Sequence, residues 1–307
     1  DHRDLHLSIR RQRQMCIRDS SCIVTYPEAI QHLLELNLFG TKLGLDNPRR
    51  LAATAGSPHE HLRFIHVAGT NGKGSVCAML ESIYREAGLR TGLFTSPHLV
   101  SFRERIQVNR ELIPEETVAS LTTQIRDFAA KFPEGQSPTF FEVLVVMALC
   151  HFAEQACDIV LWETGMGGRL DATNIVTPLA SVITNIGLDH TRWLGKTHAA
   201  IAAEKAGIIK PHIPVLTTAE QPEVLAVIRT EAAKHNAQLI ELGKTEEIAE
   251  LPLNGRHQQT NASLAMAVVE RFQQCRFPTS CPSNLKLSRR PILDLMVRQS
   301  QIASRIW

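Results

Sequence analysis

At 307 residues, 44% hydrophobic and 21% charged, the chain is long enough to bury one large core, or one large core and a small appendage. A formal net charge of +2, with no run of five like charges, argues against a nucleic-acid footprint or an acidic-membrane surface and leaves small anionic ligands open. Seven cysteines with no C-x-x-C pair argue against a disulfide framework and against a structural zinc site, so they read as reduced packing residues.

The first twenty residues are charged throughout and contain no apolar segment, which is unlike a secretory signal and predicts a cytoplasmic protein. From about Thr25 onward, short apolar runs alternate with amphipathic stretches. Strands are predicted over residues 64–68, 91–94, 158–162, 180–185, 214–218 and 238–242. Helices are predicted from 76 to 87, with Gly88 as the C-cap, and over 114–132, 141–156, 198–209, 222–236 and 260–272. The longest apolar stretch, 143–150, is far short of the roughly 20 residues that span a bilayer and reads as a buried helix segment, so no membrane partner is expected. This alternation predicts an α/β fold, a mostly parallel sheet flanked by helices. Residues 273–307 show no clear strand and only a weak helical pattern.

The first strand, FIHVA, runs into GTNGKGS (Gly69 to Ser75) and then into a helix. A glycine turn between strand and helix aims backbone N–H groups and the helix dipole at an anion, and Lys73 can reach terminal phosphates. The loop departs from G-x-x-x-x-G-K-[ST], because Val67 stands at the first glycine position and Gly74 precedes Ser75, which disfavours a generic P-loop kinase.

The strand IVLWE delivers Glu163 to the carboxyl edge of the sheet beside TGMGGRLDATN. The strand SVITN leads into IGLDH and brings Asp189 and His190 to that edge, and Ser96 and His98 follow TGLF. Glu163, His190 and the Ser96 hydroxyl can ligate a hard cation together, although each alone reads first as a satisfied structural group. SPTFFE puts two aromatics and a carboxylate at a helix start, either as core packing or to stack on a flat ligand. GRHQQTNA supplies polar residues ahead of a helix, either capping it or reaching a nucleotide, and by composition the Glu204–Lys205 pair reads as a solvated helix face.

Six segments, GTNGKGS, FTSPHLVSFRERIQVN, ETGMGGRLDATN, NIGLDH, EKAGIIKP and GRHQQTNA, stand in this order and together resemble the bacterial folylpolyglutamate synthase and dihydrofolate synthase family of Mur-ligase-like enzymes. LFGTKLGLDNPRRL resembles the family's mobile loop. The resemblance implies a P-loop Mur-ligase-type central ATPase domain. It implies ATP held by Gly69, Thr70, Asn71, Gly72, Lys73, Gly74, Ser75 and Asn261, and Mg²⁺ held by Ser96, Glu163 and His190. It implies catalytic roles for Lys73, Lys205 and His190, with Lys205 carboxylated to a carbamate. A pteroate pocket is implied at Phe140, Phe141 and Glu142 and at Leu170, Asp171 and Ala172.

The activity so implied is acyl-phosphate ligation by a monomer. The carboxylate of dihydropteroate or a folate attacks the γ-phosphate of ATP, and the amine of L-glutamate then displaces phosphate. The family continues into a smaller second domain, and nothing after Phe272 resembles it. The expected organisation is therefore an unmatched tail over 1–22, an ATP-binding domain over 23–272 and an unmatched tail over 273–307, with the second domain absent. An inactive ATP-binding fragment and a Mur-type peptidoglycan ligase are the alternatives, and the uncovered face predicts poor solubility or a partner.

Overall fold

Phe64–Ala68 (β1) is buried at all five positions, the continuous apolar run demanded by a strand covered on both faces. The computed structural model describes residues 24–36, 43–133, 136–243 and 255–272. Within them β1 joins Thr91–Phe94 (β2), Ile106–Val108 (β3), Glu111–Leu112 (β4), Ile159–Glu163 (β5), Ala180–Ile183 (β6), Val215–Thr217 (β7) and Leu239–Glu241 (β8). The sheet order is β4-β3-β2-β5-β1-β6-β7-β8. Strands β2, β5, β1, β6, β7 and β8 run parallel, and β3 and β4 add an antiparallel hairpin at one edge. β1 lies between β5 and β6, with Val67 in register with Glu163 on one side and Val182 on the other. The chain leaves β1 toward β2 and later crosses from β5 to β6, so the reversal that opens a ligand crevice in α/β sheets falls at the carboxyl end of β1.

Lys73–Glu86 (α3) and Arg256–Phe272 (α9) pack on one face against Ile65, Val67 and Leu161. Tyr26–Leu36 (α1), Asp46–Thr54 (α2), Glu115–Ala129 (α4) and Phe140–Glu154 (α5) surround the other. There the Trp162 ring lies 4.4 Å from Phe94 and 5.5 Å from Phe64. His198–Ala206 (α7) and Pro222–Lys234 (α8) enclose a third cluster around Ile183 and Val215, and Thr191–Leu194 (α6) is a single turn between β6 and α7.

The six predicted strands are present, each within two residues of its expected bounds. Residues 143–149 of that apolar stretch are buried and Cys150 is partly exposed, and among the described residues no helix is long and apolar enough to cross a membrane. Cys77, Cys150 and Cys157 are free, and Cys16, Cys22, Cys275 and Cys281 lie outside the described residues.

Three differences have local causes. α3 begins at Lys73 instead of 76, because Gly72 takes the left-handed N-cap conformation at φ 85°. α9 begins at Arg256 instead of 260: Gly255 at φ 112° sets the start and no breaker follows, so GRHQQTNA is not ahead of the helix but forms its first turns. The hairpin β3–β4 was not expected, since its two-residue turn is Asn109–Arg110 (φ 50° and 70°) and an arginine rarely takes a left-handed position.

That arginine has a compensating partner. Glu81 on α3 is fully buried and accepts from Arg85 Nε at 3.1 Å, from Thr91 Oγ1 at 2.9 Å and from Arg110 Nε. Arg110 also donates to the Ala78 carbonyl at 3.0 Å, so one carboxylate joins α3, β2 and the hairpin. Glu81→Ala is expected to cost about 2 kcal/mol, because three donors lose their acceptor while both guanidinium groups retain access to water. A thermal midpoint within one degree of wild type would contradict this.

Candidate active site

The carboxyl ends of β1 and β6 build the glycine loop's scaffold. Thr70 N–H donates to the Asn185 carbonyl at 2.8 Å, and Asn71 N–H donates to Asn185 Oδ1 at 2.9 Å. Thr184 Oγ1 donates to the Asn71 carbonyl at 2.7 Å. Gly69 has no room for a side chain, since a Cβ there would fall 1.7 Å from Thr184 Oγ1; at Gly72 it would fall 2.4 Å from Asn261 Oδ1. Thr184 and Asn185 carry no sequence signal for this role, because they follow a strand in the chain and meet the loop only through the fold.

Two lysines converge on this loop. Lys73, in the first turn of α3, donates to the carbonyls of Gly69 and Thr70 at 3.1 and 3.2 Å and lies 4.0 Å from Glu163. Lys205, near the end of α7, is buried and donates to the same Gly69 carbonyl at 2.7 Å. It is therefore no solvated helix-face residue. Burial and then repulsion by Lys73 lower its pKa to about 8, against the attraction of Asp189 and Asp171.

Glu163, the last residue of β5, is buried and accepts from the Ser96 backbone N–H at 3.1 Å. Burial raises its pKa to about 7, opposed by Lys73 and the Ser96 N–H. The structure thus brings Ser96, Glu163, Lys73 and Lys205 into one contiguous set. His190 is half-exposed in a left-handed conformation, with its ring 3.6 Å from Asp189. No hydrogen bond or ion pair joins it to Glu163 or Ser96 among the described residues. Nor do three His, Cys, Asp or Glu side chains gather there as a metal site.

The aromatic segment lies beside these groups. Phe141 packs on Phe94 at 6.1 Å and against Gly165, where a Cβ would come within 2.4 Å of its ring. Phe140 lies 6.0 Å from Phe102, with the Arg105 guanidinium 5.5 Å from its ring centre. Glu142 is buried and closes a capping box, accepting from Thr139 N–H at 2.6 Å. Asp171 is buried and accepts from Met166 N–H at 2.7 Å and from Thr173 N–H and Oγ1, so it folds the glycine turn around itself. Burial raises its pKa against those donors. Leu170 takes a backbone hydrogen bond from Gly44 at 3.2 Å, and Ala172 is buried in the core. Of LFGTKLGLDNPRRL, residues 38–42 lie outside the described residues.

On the far side of the loop, a cleft of about 410 Å³ is lined by Asn185, Thr218, Gln221, His257, Thr260 and Asn261 among others. Asn261 is buried within α9 and bonded to Gln258 at 3.1 Å, facing Gly72.

Residues 67–250 match the Mur ligase middle domain. The chain belongs to the Mur ligase family. Within that family it is similar to the dihydrofolate synthase/folylpolyglutamate synthase of Bacillus subtilis, 42% identical over 258 residues, which cover 76% of this chain and 60% of that protein. The folylpolyglutamate synthase of Lacticaseibacillus casei is 32% identical over 258 residues, covering 75% of this chain and 60% of that protein. Among solved structures, the folylpolyglutamate synthase of Thermotoga maritima superposes with a TM-score of 0.76 at 34% identity, over 89% of this chain and 65% of that one. E. coli FolC in complex with DHPP and ADP gives 0.74 at 31%, over 91% and 67%. The chain thus spans about 60% of the length of the B. subtilis relative. These likenesses bear out the Mur-ligase-type α/β fold expected from the six segments.

Proposed function

We propose that the chain carries the ATP-binding catalytic unit, residues 23–272, of an ATP- and Mg-dependent ligase that joins L-glutamate to dihydropteroate, folates or both. The observation that carries this reading is the convergence of Lys73 and Lys205 on the Gly69 carbonyl beside the buried carboxylate of Glu163. The relatives named for this activity, and E. coli FolC bound to ADP, support it.

In this reading the glycine loop and the N-terminus of α3 receive the polyphosphate, and Lys73 neutralises charge on the phosphoryl group in transfer. Asn261 and its cleft take the rest of the nucleotide. Phe140 and Phe141 flank a flat acid, with Leu170 and Ala172 at the pocket wall. Glu142 and Asp171 hold that wall through the cap and the turn they close.

Ser96 and Glu163 fit Mg²⁺, which takes one or two protein oxygens and keeps waters and phosphates; when bound, it would screen the polyphosphate from the incoming carboxylate. His190, on the loop after β6, would complete that ligand set, as the resemblance implies. Near pH 8 Lys205 is neutral in part, the form that adds CO₂ and loses a proton to become a carbamate. The substrate carboxylate is already ionised at neutral pH, so its attack on the γ-phosphate needs no general base. The glutamate amine then attacks the acyl carbon of the resulting acyl phosphate, forming the amide as phosphate leaves and the nitrogen gives up its proton. The unit acts as a monomer in the cytoplasm.

Hydroxylamine tests the acyl phosphate directly. With Mg-ATP and dihydropteroate, and no glutamate, the chain should yield dihydropteroyl hydroxamate and ADP in equal amounts; ADP without hydroxamate would overturn the reading.

A further inference from the structure

Arg105 stands in the segment FTSPHLVSFRERIQVN, between Ser96 and the hairpin β3–β4. It is the last residue of the capped turn Phe102–Arg105 and directly precedes β3, on the β2 side of Glu163. Its Nε donates to His98 Nδ1 at 2.7 Å, and its guanidinium lies 5.5 Å from the centre of the Phe140 ring. Phe102 lies edge-on to both His98 and Phe140, at 6.4 and 6.0 Å, so the arginine is held within an aromatic wall. Neither Nη has an acceptor among the described residues. The remaining cations of the site are committed to the glycine loop: Lys73 and Lys205 both bond the Gly69 carbonyl, whereas no hydrogen bond or ion pair joins Arg105 to residues 69–75.

We infer that Arg105 receives the carboxylate of the acid substrate, with both Nη groups pairing bidentately with its two oxygens at the edge of the Phe140 wall. The inference rests on the ligase reading. That reaction has to bring a carboxylate toward a polyphosphate past the negative Glu163, and a lysine on the phosphate side does not orient the incoming group. A planar fork fixed through its Nε matches carboxylate geometry and presents two parallel donors. The His98 contact fits this arrangement. With its Nε engaged by His98 Nδ1, the guanidinium keeps both Nη groups for a ligand. A flat acid flanked by Phe140 would then be held at its ring by aromatic contact and at its carboxylate by Arg105.

The test is equilibrium binding of dihydropteroate and of its carboxamide to the 307-residue chain with a Mg-bound, non-hydrolysable ATP analogue. Wild type should prefer the acid. Arg105→Gln should weaken the acid on the order of tenfold to a hundredfold, the loss of a charge-assisted pair, and leave the amide and the nucleotide unchanged. Arg105→Lys should recover only part of the loss, because it restores the charge without the fork. Retained preference for the acid in Arg105→Gln would overturn the inference and leave the ligase reading standing. Weakened nucleotide binding with unchanged acid binding would reassign Arg105 to phosphate and overturn it equally. A wild-type chain that binds the nucleotide and no acid would sink the ligase reading, and the inference with it.

Discussion

Lys73→Ala is expected to lower Mg-ATP-dependent turnover about a thousandfold and leave the fold intact. The ammonium is the one cation in the first turn of α3, where the helix N-terminus and the glycine loop aim at the same anion. In phosphoryl transfer most of the catalytic work is charge neutralisation and alignment, and single fixed donors at such centres carry two to five orders of magnitude. Structurally the residue is replaceable: its bonds go to two loop carbonyls that water can satisfy, and the scaffold of Thr70, Asn71, Thr184 and Asn185 does not involve it. Turnover within tenfold of wild type would show that Lys73 does not face the transferred phosphoryl group. Loss of turnover together with a melted far-ultraviolet spectrum would point to the loop's architecture instead.

Glu163→Gln is expected to move activity and stability in opposite directions. The amide keeps the size and can still accept from the Ser96 N–H, but it offers no charge to a cation, so Mg-dependent turnover should fall about a hundredfold to a thousandfold. Stability should rise. The folded pKa of Glu163 is about 7 and its reference value 4.5, so the folded state binds this proton more tightly than the unfolded state. Its contribution is therefore fully favourable below about pH 4.5, is lost as pH rises through about 7, and is flat above. Glutamine does not titrate. The stability gain of the variant should grow between those limits to at most about 3 kcal/mol at pH 8, an upper bound because Mg²⁺ would relieve the same penalty in wild type. Urea titrations at pH 5 and pH 8 without metal measure it; an equal difference at both would contradict the buried, cation-seeking carboxylate.

The parallel strands were legible because each is a short continuous apolar run, a pattern set by burial on both faces, as in FIHVA and IVLWE. The glycine loop and Glu163 were legible for a related reason: both sit where such a run stops and polar residues begin. α1 was missed although Thr25 and Glu28 spell a capping signature, with Glu28 accepting from Thr25 N–H at 2.7 Å. The same signature at Thr139 and Glu142 would have shown that this carboxylate closes a helix cap. The hairpin carried no such mark, because its turn is stabilised by Glu81, 29 positions away from Arg110.

Through-space partners account for the rest. Lys205 looks like half of a surface Glu–Lys pair in sequence and becomes a buried cation only because β1 lies beside α7's end, 136 positions from Gly69. Asp171 reads as a pocket residue, yet its carboxylate turns inward to the N–H groups of its own glycine turn. The placement of His190 beside Asp189 likewise depends on a left-handed backbone that no residue type there announces.

ADP release by the purified 307-residue protein reads out whether this chain activates a carboxylate with ATP. The assay supplies Mg-ATP, dihydropteroate and glutamate, omits each in turn and carries Lys73→Ala as control. Release should require all three and disappear in the variant. Absence of release from a chain that still binds ATP, with that binding lost in Lys73→Ala, would contradict the claim and make this a nucleotide-binding unit without ligase chemistry.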